Sequence, residues 1–268
     1  MLRVQGLTCG YGAGFLLKDV SLAVNRGQMV GVIGPNGSGK TTLLRAVTRV
    51  ITPLKGSVAI DGVDISRLSA RDLARKLAVV SRPGEGDAKI TVEEYVLLGR
   101  TPHRQGLGLV QTKEDLAIAR KAMSLTGVLG LDERPMTDLS SGERQLASIA
   151  RAIAQEPALL VLDEPTSHLD IAHQVRVLDL IRRLNRETGL TVLVVLHDLN
   201  LAGQYCDRLL LLDNGSVRKE GPPEEVLTYE IIESVYKTVV VVRKNPISSK
   251  PYVILVSEDE RSRPPLPD

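Results

Sequence analysis

The chain has 268 residues, of which 43% are hydrophobic and 25% are charged, a composition that excludes a disordered chain and suits one large α/β domain with a subdomain. The 34 lysines and arginines nearly balance the 32 aspartates and glutamates, so the charge does not favour nucleic acid as a partner. The longest apolar runs have strand length and no signal peptide is expected at the start, so work at a membrane would need a partner.

The beginning of the chain alternates apolar segments with glycine-containing turns. Residues 2–4, 20–24 and 29–33 have the apolar pattern of strands. Tyr11 lies between the first two of these strands, where its ring could stack on an adenine or could instead be a half-buried strand tyrosine. We include Tyr11 in the predicted nucleotide site.

A glycine-rich loop follows the third strand and leads into a predicted helix. Residues 34–41 fit the pattern G-x-x-x-x-G-K-[ST], in which glycines let backbone N–H groups point at an anion. Lys40 supplies a point charge for the β- and γ-phosphates, and the Thr41 hydroxyl can bind Mg²⁺. The loop therefore predicts a nucleotide site with Mg²⁺, and Lys40 is also a catalytic candidate. The predicted contacts are Gly34, Pro35, Asn36, Gly37, Ser38, Gly39, Lys40, Thr41 and Thr42.

Strand and helix patterns alternate through the rest of the chain. Because such alternation forms βαβ units, we predict an α/β fold with a phosphate-loop (RecA-like) parallel-sheet core and an N-terminal antiparallel β subdomain. Residues 91–154 have a helical pattern, which we interpret as a helical subdomain inserted over about 83–155. The other expected elements are a helix to about residue 50, a hairpin containing 57–60, a Ser-capped helix over 69–76, strands over 77–80, 158–162 and 191–196, and helices over about 172–188 and 199–205.

Two acidic residues end the strand predicted at 158–162. Carboxylates at the end of such a strand lie beside the phosphate site of an open α/β sheet. Asp163 can hold Mg²⁺ through its water shell, and Glu164 can act as the general base toward the attacking water. We therefore predict Thr41 and Asp163 as metal ligands and Glu164 as a catalytic residue.

A short motif precedes the helical run at 146–154. Residues 139–143 read Leu-Ser-Ser-Gly-Glu, which by itself would indicate a Ser-capped helix start. In the context of the whole chain it resembles the L-S-G-G-Q signature of the ATP-binding subunits of ABC (ATP-binding cassette) transporters. The ordered blocks that carry this resemblance are the glycine loop, residues 139–143, Asp163-Glu164, residues 167–170 and His197-Asp198.

The resemblance covers about residues 2–255 and implies an ATP hydrolase that uses ATP and Mg²⁺. It also implies an ABC ATP-binding domain over residues 1–238, which contains the helical insertion. Residues 239–242 and 252–255 could pair as strands, so we expect residues 239–268 to be a C-terminal β-hairpin extension with a frayed tail.

In this family a single subunit leaves the γ-phosphate of ATP half enclosed, and a second copy completes the site. The resemblance implies that the Ser140 hydroxyl, the Gly142 N–H and a helix N-terminus meet the γ-phosphate across this interface. Ser141 and Glu143 belong to the same contact, where the family has glycine and glutamine.

Two further residues take their expected roles from the resemblance. Asp170 resembles the loop that crosses the interface, and His197 matches the switch histidine that contacts the γ-phosphate and positions the base. Three other histidines are assigned only surface or packing roles: His103, His168 and His173.

The chain departs from the family pattern at Arg82, where the family has a glutamine that touches Mg²⁺ and water. Arginine has no acceptor atom and cannot bind a cation. Either Arg82 contacts the γ-phosphate directly or it points away, and we expect weakened or rewired coupling between hydrolysis and partner movement. Thr48 and Arg49 also stand where small residues usually follow the first helix.

Residues 96–103 and 221–228 resemble segments of importers for iron–siderophores, haem and cobalamin. The implied function is to couple ATP binding, dimer closure and hydrolysis to uptake of such a metal chelate. The implied partners are a second ATP-binding subunit, as a homodimer, an integral membrane permease, and a periplasmic or lipoprotein substrate-binding protein. The permease would bind near Arg82 and residues 91–105, at the cytoplasmic face of the membrane.

Other ATPases also carry a glycine loop. ABC ATPases of DNA repair insert long coiled coils before the signature, but residues 42–139 contain no sustained heptads. Translation-type ABC proteins carry two cassettes, whereas this sequence has one glycine loop. A phosphate-loop kinase would need an acceptor-binding lid in place of a signature helix. The alternatives kept open are a soluble non-transport ABC ATPase and a regulatory cassette in which Arg82 impairs coupling.

Overall fold

The computed structural model describes most of the chain at the level of side chains. Its described residues are 1–10, 16–81, 89–104 and 111–260. Tyr11 and Arg82 lie outside the described residues, so the roles expected for them stay predictions.

Strands and helices alternate along the described residues, as expected for an α/β fold. The strands are β1 (Leu2–Gly10), β2 (Leu16–Val24), β3 (Met29–Ile33), β4 (Lys55–Ile60), β5 (Val63–Asp64), β6 (Leu77–Val80), β7 (Leu159–Asp163), β8 (Thr191–Val195), β9 (Arg208–Asp213), β10 (Ser216–Gly221), β11 (Val240–Lys244) and β12 (Pro251–Leu255). The helices are α1 (Lys40–Val47), α2 (Ala70–Lys76), α3 (Val92–Leu97), α4 (Lys113–Thr126), α5 (Ser141–Ala154), α6 (Ile171–Thr188), α7 (Leu199–Tyr205), α8 (Pro223–Val226) and α9 (Tyr229–Tyr236). Within the described ranges, no helix combines the length and the hydropathy of a membrane span.

The central sheet has six strands in the order β10-β9-β3-β8-β7-β6. Neighbouring strands from β9 to β6 run parallel, and β9 and β10 form an antiparallel hairpin. A second sheet, in the order β2-β1-β4-β5, is antiparallel. The parallel core and the N-terminal antiparallel sheet predicted from the sequence are thus confirmed.

Alternate residues of the central strands belong to two hydrophobic clusters, because successive side chains of a strand point to opposite faces of the sheet. In β8, Val192 and Val194 pack with the helices of one face, whereas Leu193 and Val195 pack with the cluster of the N-terminal sheet. Every residue of β3 and of β8 is buried. The loops that follow these strands therefore start from points held on both sides by close packing.

Helices α3, α4 and α5 pack against one another beside this sheet. Arg100, in the segment that resembles metal-chelate importers, is almost fully buried. Its Nε lies 3.0 Å from Asp115 Oδ1 and its Nη1 lies 2.7 Å from Glu156 Oε2. These ion pairs connect the segment after α3 to α4 and to the end of α5, which gives Arg100 a structural role. The boundaries of the helical subdomain stay a prediction.

Helix α1 ends at Val47, three residues before the end expected from the sequence. Arg49 has a positive φ of 60°, so it cannot continue the helix. Its guanidinium donates hydrogen bonds to the carbonyl oxygens of Ile65, at 2.9 Å, and of Leu68. Arg49 thus ties the end of α1 to the segment after β5, which explains a large residue at this position.

The C-terminal strands pack on α7. β11 and β12 are antiparallel, with Val240 opposite Leu255. Asn200 of α7 donates to the Val253 carbonyl oxygen at 3.1 Å and accepts from the Val253 N–H at 2.7 Å. Helices α8 and α9, which the sequence patterns did not predict, connect the central sheet to this hairpin.

The two cysteines lie in different hydrophobic clusters. Cys9 is in the cluster of the N-terminal sheet, and Cys206 is in the cluster beside the helices. Both are free and buried, as expected for small apolar residues. Burial raises the pKa of the Cys9 thiol and raises that of Cys206 to about 12.

Candidate nucleotide-binding site

The glycine loop leaves buried strand β3 and enters α1 through backbone conformations that favour glycine. Gly34 and Gly39 have φ angles of 147° and 106°. At Gly34, a Cβ would lie 2.2 Å from the Leu212 carbonyl oxygen and 2.7 Å from the Ser38 hydroxyl. No side chain fits there, and the loop forms a compact backbone cradle of the kind that binds phosphate.

Lys40 begins α1 and folds back over this loop. It is 5% exposed, and its Nζ donates to the carbonyl oxygens of Gly34, at 2.8 Å, and Pro35, at 2.9 Å. Burial lowers the pKa of Lys40, and the charge of Asp163 acts in the opposite direction. The buried Ser38 hydroxyl has no hydrogen-bond partner among the described residues. A buried cation and an unsatisfied hydroxyl in a glycine cradle fit the phosphates of ATP.

Thr41 and Asp163 are the predicted metal ligands, and both are partly buried. A hydroxyl and a carboxylate are the oxygen donors that Mg²⁺ prefers, and Asp163 is close enough to Lys40 to influence its pKa. In the described ranges, no group of three or more His, Cys, Asp or Glu side chains could hold a metal ion. The hydroxyl and the carboxylate present fit Mg²⁺, which takes further ligands from phosphate and water when it binds with ATP.

Glu164 and His197 come from different strands and meet in the structure. Glu164 follows β7 with a positive φ of 52°, and its N–H donates to the Val195 carbonyl oxygen, at the end of β8, over 3.2 Å. The Ser167 hydroxyl donates to Glu164 Oε2 at 3.1 Å, and His197 Nε2 donates to Oε1. The Glu164 side chain is 11% exposed, so it is shielded but reachable. Its carboxylate is held by two donors, an arrangement suited to a general base.

The strand order brings these groups to one edge of the sheet. β8 lies between β3 and β7, and Asp163 is opposite Val195 in the ladder. The glycine loop, Glu164 and His197 each follow the carboxyl end of one of these three neighbouring strands. Ligands of open α/β sheets bind at such an edge.

The signature residues 140–143 form the start of α5. The Ser140 hydroxyl accepts from the Glu143 N–H, while Glu143 Oε2 accepts from the Ser140 N–H at 2.8 Å and from its hydroxyl at 2.7 Å. These bonds from Ser140, the backbone one foremost, lower the pKa of Glu143. Ser140 and Ser141 are exposed, whereas Gly142 is buried. The first turn of α5 is thus fixed locally, and its two serines are accessible from solvent.

Asp170 caps α6 and brings a residue with no predicted functional role into contact with the signature. Its carboxylate accepts from the His173 N–H at 2.8 Å and from the ring Nδ1 at 2.9 Å, and these bonds lower the pKa of Asp170. The His173 ring lies against Gly142, where a Cβ would be 2.2 Å from His173 Cδ2. The Asp-x-x-His spacing at a helix start is the one sequence signal that indicates this arrangement.

Residues 17–167 match the sequence pattern of the ABC transporter family, a range that contains the glycine loop, the signature and Glu164. The ferric enterobactin transport ATP-binding protein FepC of Escherichia coli (strain K12) is 40% identical over 94% of this chain and 93% of its own length. The iron(3+)-hydroxamate import ATP-binding protein FhuC of Bacillus subtilis (strain 168) is 38% identical over 97% of both chains. The uncharacterized ABC transporter ATP-binding protein YvrA of the same bacterium is 41% identical, and this chain spans 59% of its length.

Solved structures of ABC transporter proteins are also similar to this chain. An inward-facing metal-chelate type ABC transporter has a chain that superposes with a TM-score of 0.85 at 28% identity, over 96% of this chain and 98% of that one. A dimeric ATP-binding cassette in a post-hydrolysis state, bound to ADP and Pi, superposes with a TM-score of 0.73 at 29% identity, over 83% of this chain and 98% of that one.

Proposed function

We propose a transport function for this chain, which belongs to the ABC transporter family and is one of its ATP-hydrolysing, ATP-binding cassettes. It would couple ATP binding and hydrolysis to the import of a metal chelate, such as an iron–siderophore, haem or cobalamin, through a membrane permease. Relatives named for transport of ferric enterobactin and for import of iron(3+)-hydroxamate and cobalamin support this cargo class.

One observation carries the ATP-hydrolysing part of the proposal: the glycine loop, Asp163 and the Glu164–His197 pair share one edge of the parallel sheet. In the proposed mechanism, Lys40 exchanges its carbonyl partners for the β- and γ-phosphates of ATP, with Ser38, Gly39 and the start of α1 completing the cradle. Glu164 accepts a proton from the attacking water, and His197 keeps the carboxylate oriented.

Thr41 and Asp163 would hold Mg²⁺. Bound there, the ion would neutralise charge on the β- and γ-phosphates during hydrolysis. The described side chains supply few ligands of their own, so we expect metal affinity to depend strongly on bound nucleotide.

A second copy of the chain would complete each site. The start of α5 has Ser140 and Ser141 exposed, Glu143 partly exposed and Gly142 buried against His173. The Asp170 loop, residues 167–170, adjoins this turn through His173, so both segments would face the nucleotide held by the other copy. Two ATP molecules would then be enclosed between two chains, and hydrolysis would let the chains separate.

The permease would bind around residues 91–105, the segment that the family resemblance assigns to it together with Arg82. Among the described residues in and before this segment, Leu98 and Val79 are exposed apolar side chains, at 49% and 39%. Both are available for contact with a partner. With a substrate-binding protein outside the membrane, the complex would place this subunit at the cytoplasmic face as a peripheral protein.

Two measurements test the proposal. Phosphate release from the purified protein with Mg-ATP should be lost in Glu164→Gln, because the general base is removed. The chain should also co-purify with a multispanning permease after joint expression. A folded protein that hydrolyses ATP but never enters a membrane complex would refute the transport function and leave the ATPase intact.

A further inference from the structure

The His173 side chain joins the two segments that would face the nucleotide of the other copy. We infer that His173 is a positioning residue for dimer closure: it fixes the Asp170 loop and the signature turn, residues 140–143, as one preformed surface. The inference rests on the proposed function, because it presumes that two copies close over ATP. Neither the family signature nor the capping pattern of α6 gives His173 a role in closure, so the inference adds this residue to the interface.

The orientation of the His173 ring is fixed by Asp170. The Asp170 carboxylate accepts two hydrogen bonds from His173, one from the backbone N–H at 2.8 Å and one from Nδ1 at 2.9 Å. The bond from Nδ1 holds the ring beside the capping carboxylate, and the bond from N–H holds that carboxylate at the first turn of α6. The ring therefore cannot turn away without breaking a bond to Asp170.

The opposite side of the ring defines the position of Gly142. A Cβ built on Gly142 would lie 2.2 Å from Cδ2, 2.8 Å from Nε2 and 3.0 Å from Cγ of His173. The backbone of Gly142 therefore packs directly on the imidazole, and a side chain at this position would displace it. The Gly142 N–H is expected to meet the γ-phosphate of the ATP bound by the other copy. The ring therefore sets the position of that donor relative to Asp170.

The charges around the ring agree with this placement. His173 donates to the Asp170 carboxylate of α6 and is close enough to Glu143, at the start of α5, to affect its pKa. Hydrogen bonds from Ser140 lower the pKa of Glu143 most, and Arg134 and His173 act in the same direction. The imidazole thus interacts with an acidic residue at each of the two helix starts.

The test uses the full chain in the Glu164→Gln form, which should bind Mg-ATP and stay closed. Two quantities are measured: the affinity of the single copy for a fluorescent ATP analogue, and the Mg-ATP-dependent dimerisation constant by analytical ultracentrifugation. We expect His173→Ala to leave the first within about twofold and to weaken the second by about tenfold or more, a typical coupling between sites.

Two more variants separate positioning from general stability. His173→Asn keeps a donor at the place of Nδ1 and should recover most of the dimerisation. Arg176→Ala, on an exposed position of the same helix, is the matched control and should leave dimerisation unchanged. In the hydrolysing background, His173→Ala should lower kcat more than it raises KM.

The outcomes are distinguishable. If the Glu164→Gln parent stays monomeric with saturating Mg-ATP, the proposed function fails, and the inference fails with it. If the parent dimerises and His173→Ala dimerises equally well, only the inference is overturned. If His173→Ala and His173→Asn both lose single-copy ATP binding and melt at lower temperature, His173 is merely structural and the inference is also overturned.

Discussion

The sheet edge around Lys40 and Glu164 and the helix starts around Ser140 and Asp170 are held in place by different forces. At the sheet edge, the loops leave strands that are buried on both faces. At the helix starts, exposed side chains are fixed by capping bonds that span only three residues. The first region is therefore assembled within a single copy, whereas the second is a locally fixed surface that we propose acts on the nucleotide of another copy. Four substitutions test this division.

The largest effect is expected for Glu164→Gln at the sheet edge. Removal of the general base should lower the rate of ATP hydrolysis by about 10²–10⁴-fold, while single-copy ATP binding stays unchanged. Phosphate release and equilibrium binding of an ATP analogue are the measurements. Glu187→Gln, which alters an exposed carboxylate on α6, is the control, and an equal loss there would refute the assignment.

Gly34→Ala should come next, because a Cβ would meet the Leu212 carbonyl oxygen and φ is 147°. We expect the distorted loop to weaken single-copy ATP binding by about 1–3 kcal/mol. Gly130→Ala is the matched control, since a Cβ there meets nothing within 4 Å. Full ATP affinity in Gly34→Ala would show that the cradle does not depend on this close packing.

Ser140→Ala should separate the two regions. We expect hydrolysis to fall by about tenfold or more because a donor to the γ-phosphate is lost across the interface. Single-copy ATP affinity should not change, and the lost cap should cost about 1 kcal/mol of stability. Thr112→Ala removes the same kind of capping box from α4, far along the chain from the signature. If both variants lose equal activity, stability and not the interface explains Ser140.

Glu143→Gln should have the smallest effect, visible mainly as a change in pH dependence. Bonds from Ser140 lower the pKa of Glu143 in the folded state. Their stabilisation is therefore present above the unfolded pKa of about 4.3 and is lost as pH falls through the folded value. The melting temperature of the wild type should lose about 1 °C more than that of Glu143→Gln across this range. Parallel curves would contradict the assignment.

The sequence predicted functional residues where they belong to one short motif or directly follow a strand pattern. Lys40 and Thr41 are adjacent in one pattern, Glu164 directly follows an apolar strand-like run, and His197 took its expected role from the family resemblance. The fold class followed from the same alternation. These predictions needed no knowledge of contacts between distant side chains.

Contacts between side chains that are far apart in the sequence could not be predicted. Nothing in the order of residues shows that His173 lies on Gly142, or that Arg100 joins Asp115 and Glu156 in a buried network. The reason for an arginine at position 49 lies in its hydrogen bonds to the segment after β5. Each of these depends on how elements pack, and local patterns carry little information about packing.

The placement of the two cysteines gives the molecule a pair of built-in reporters. Cys9 and Cys206 sit in separate hydrophobic clusters, and each thiol is shielded from reagents while its cluster is closed. The rate at which a thiol-specific dye modifies each one therefore measures how often that half of the protein opens. Equal rates would indicate that both halves open together as one cooperative unit, and unequal rates would identify the half that opens more often.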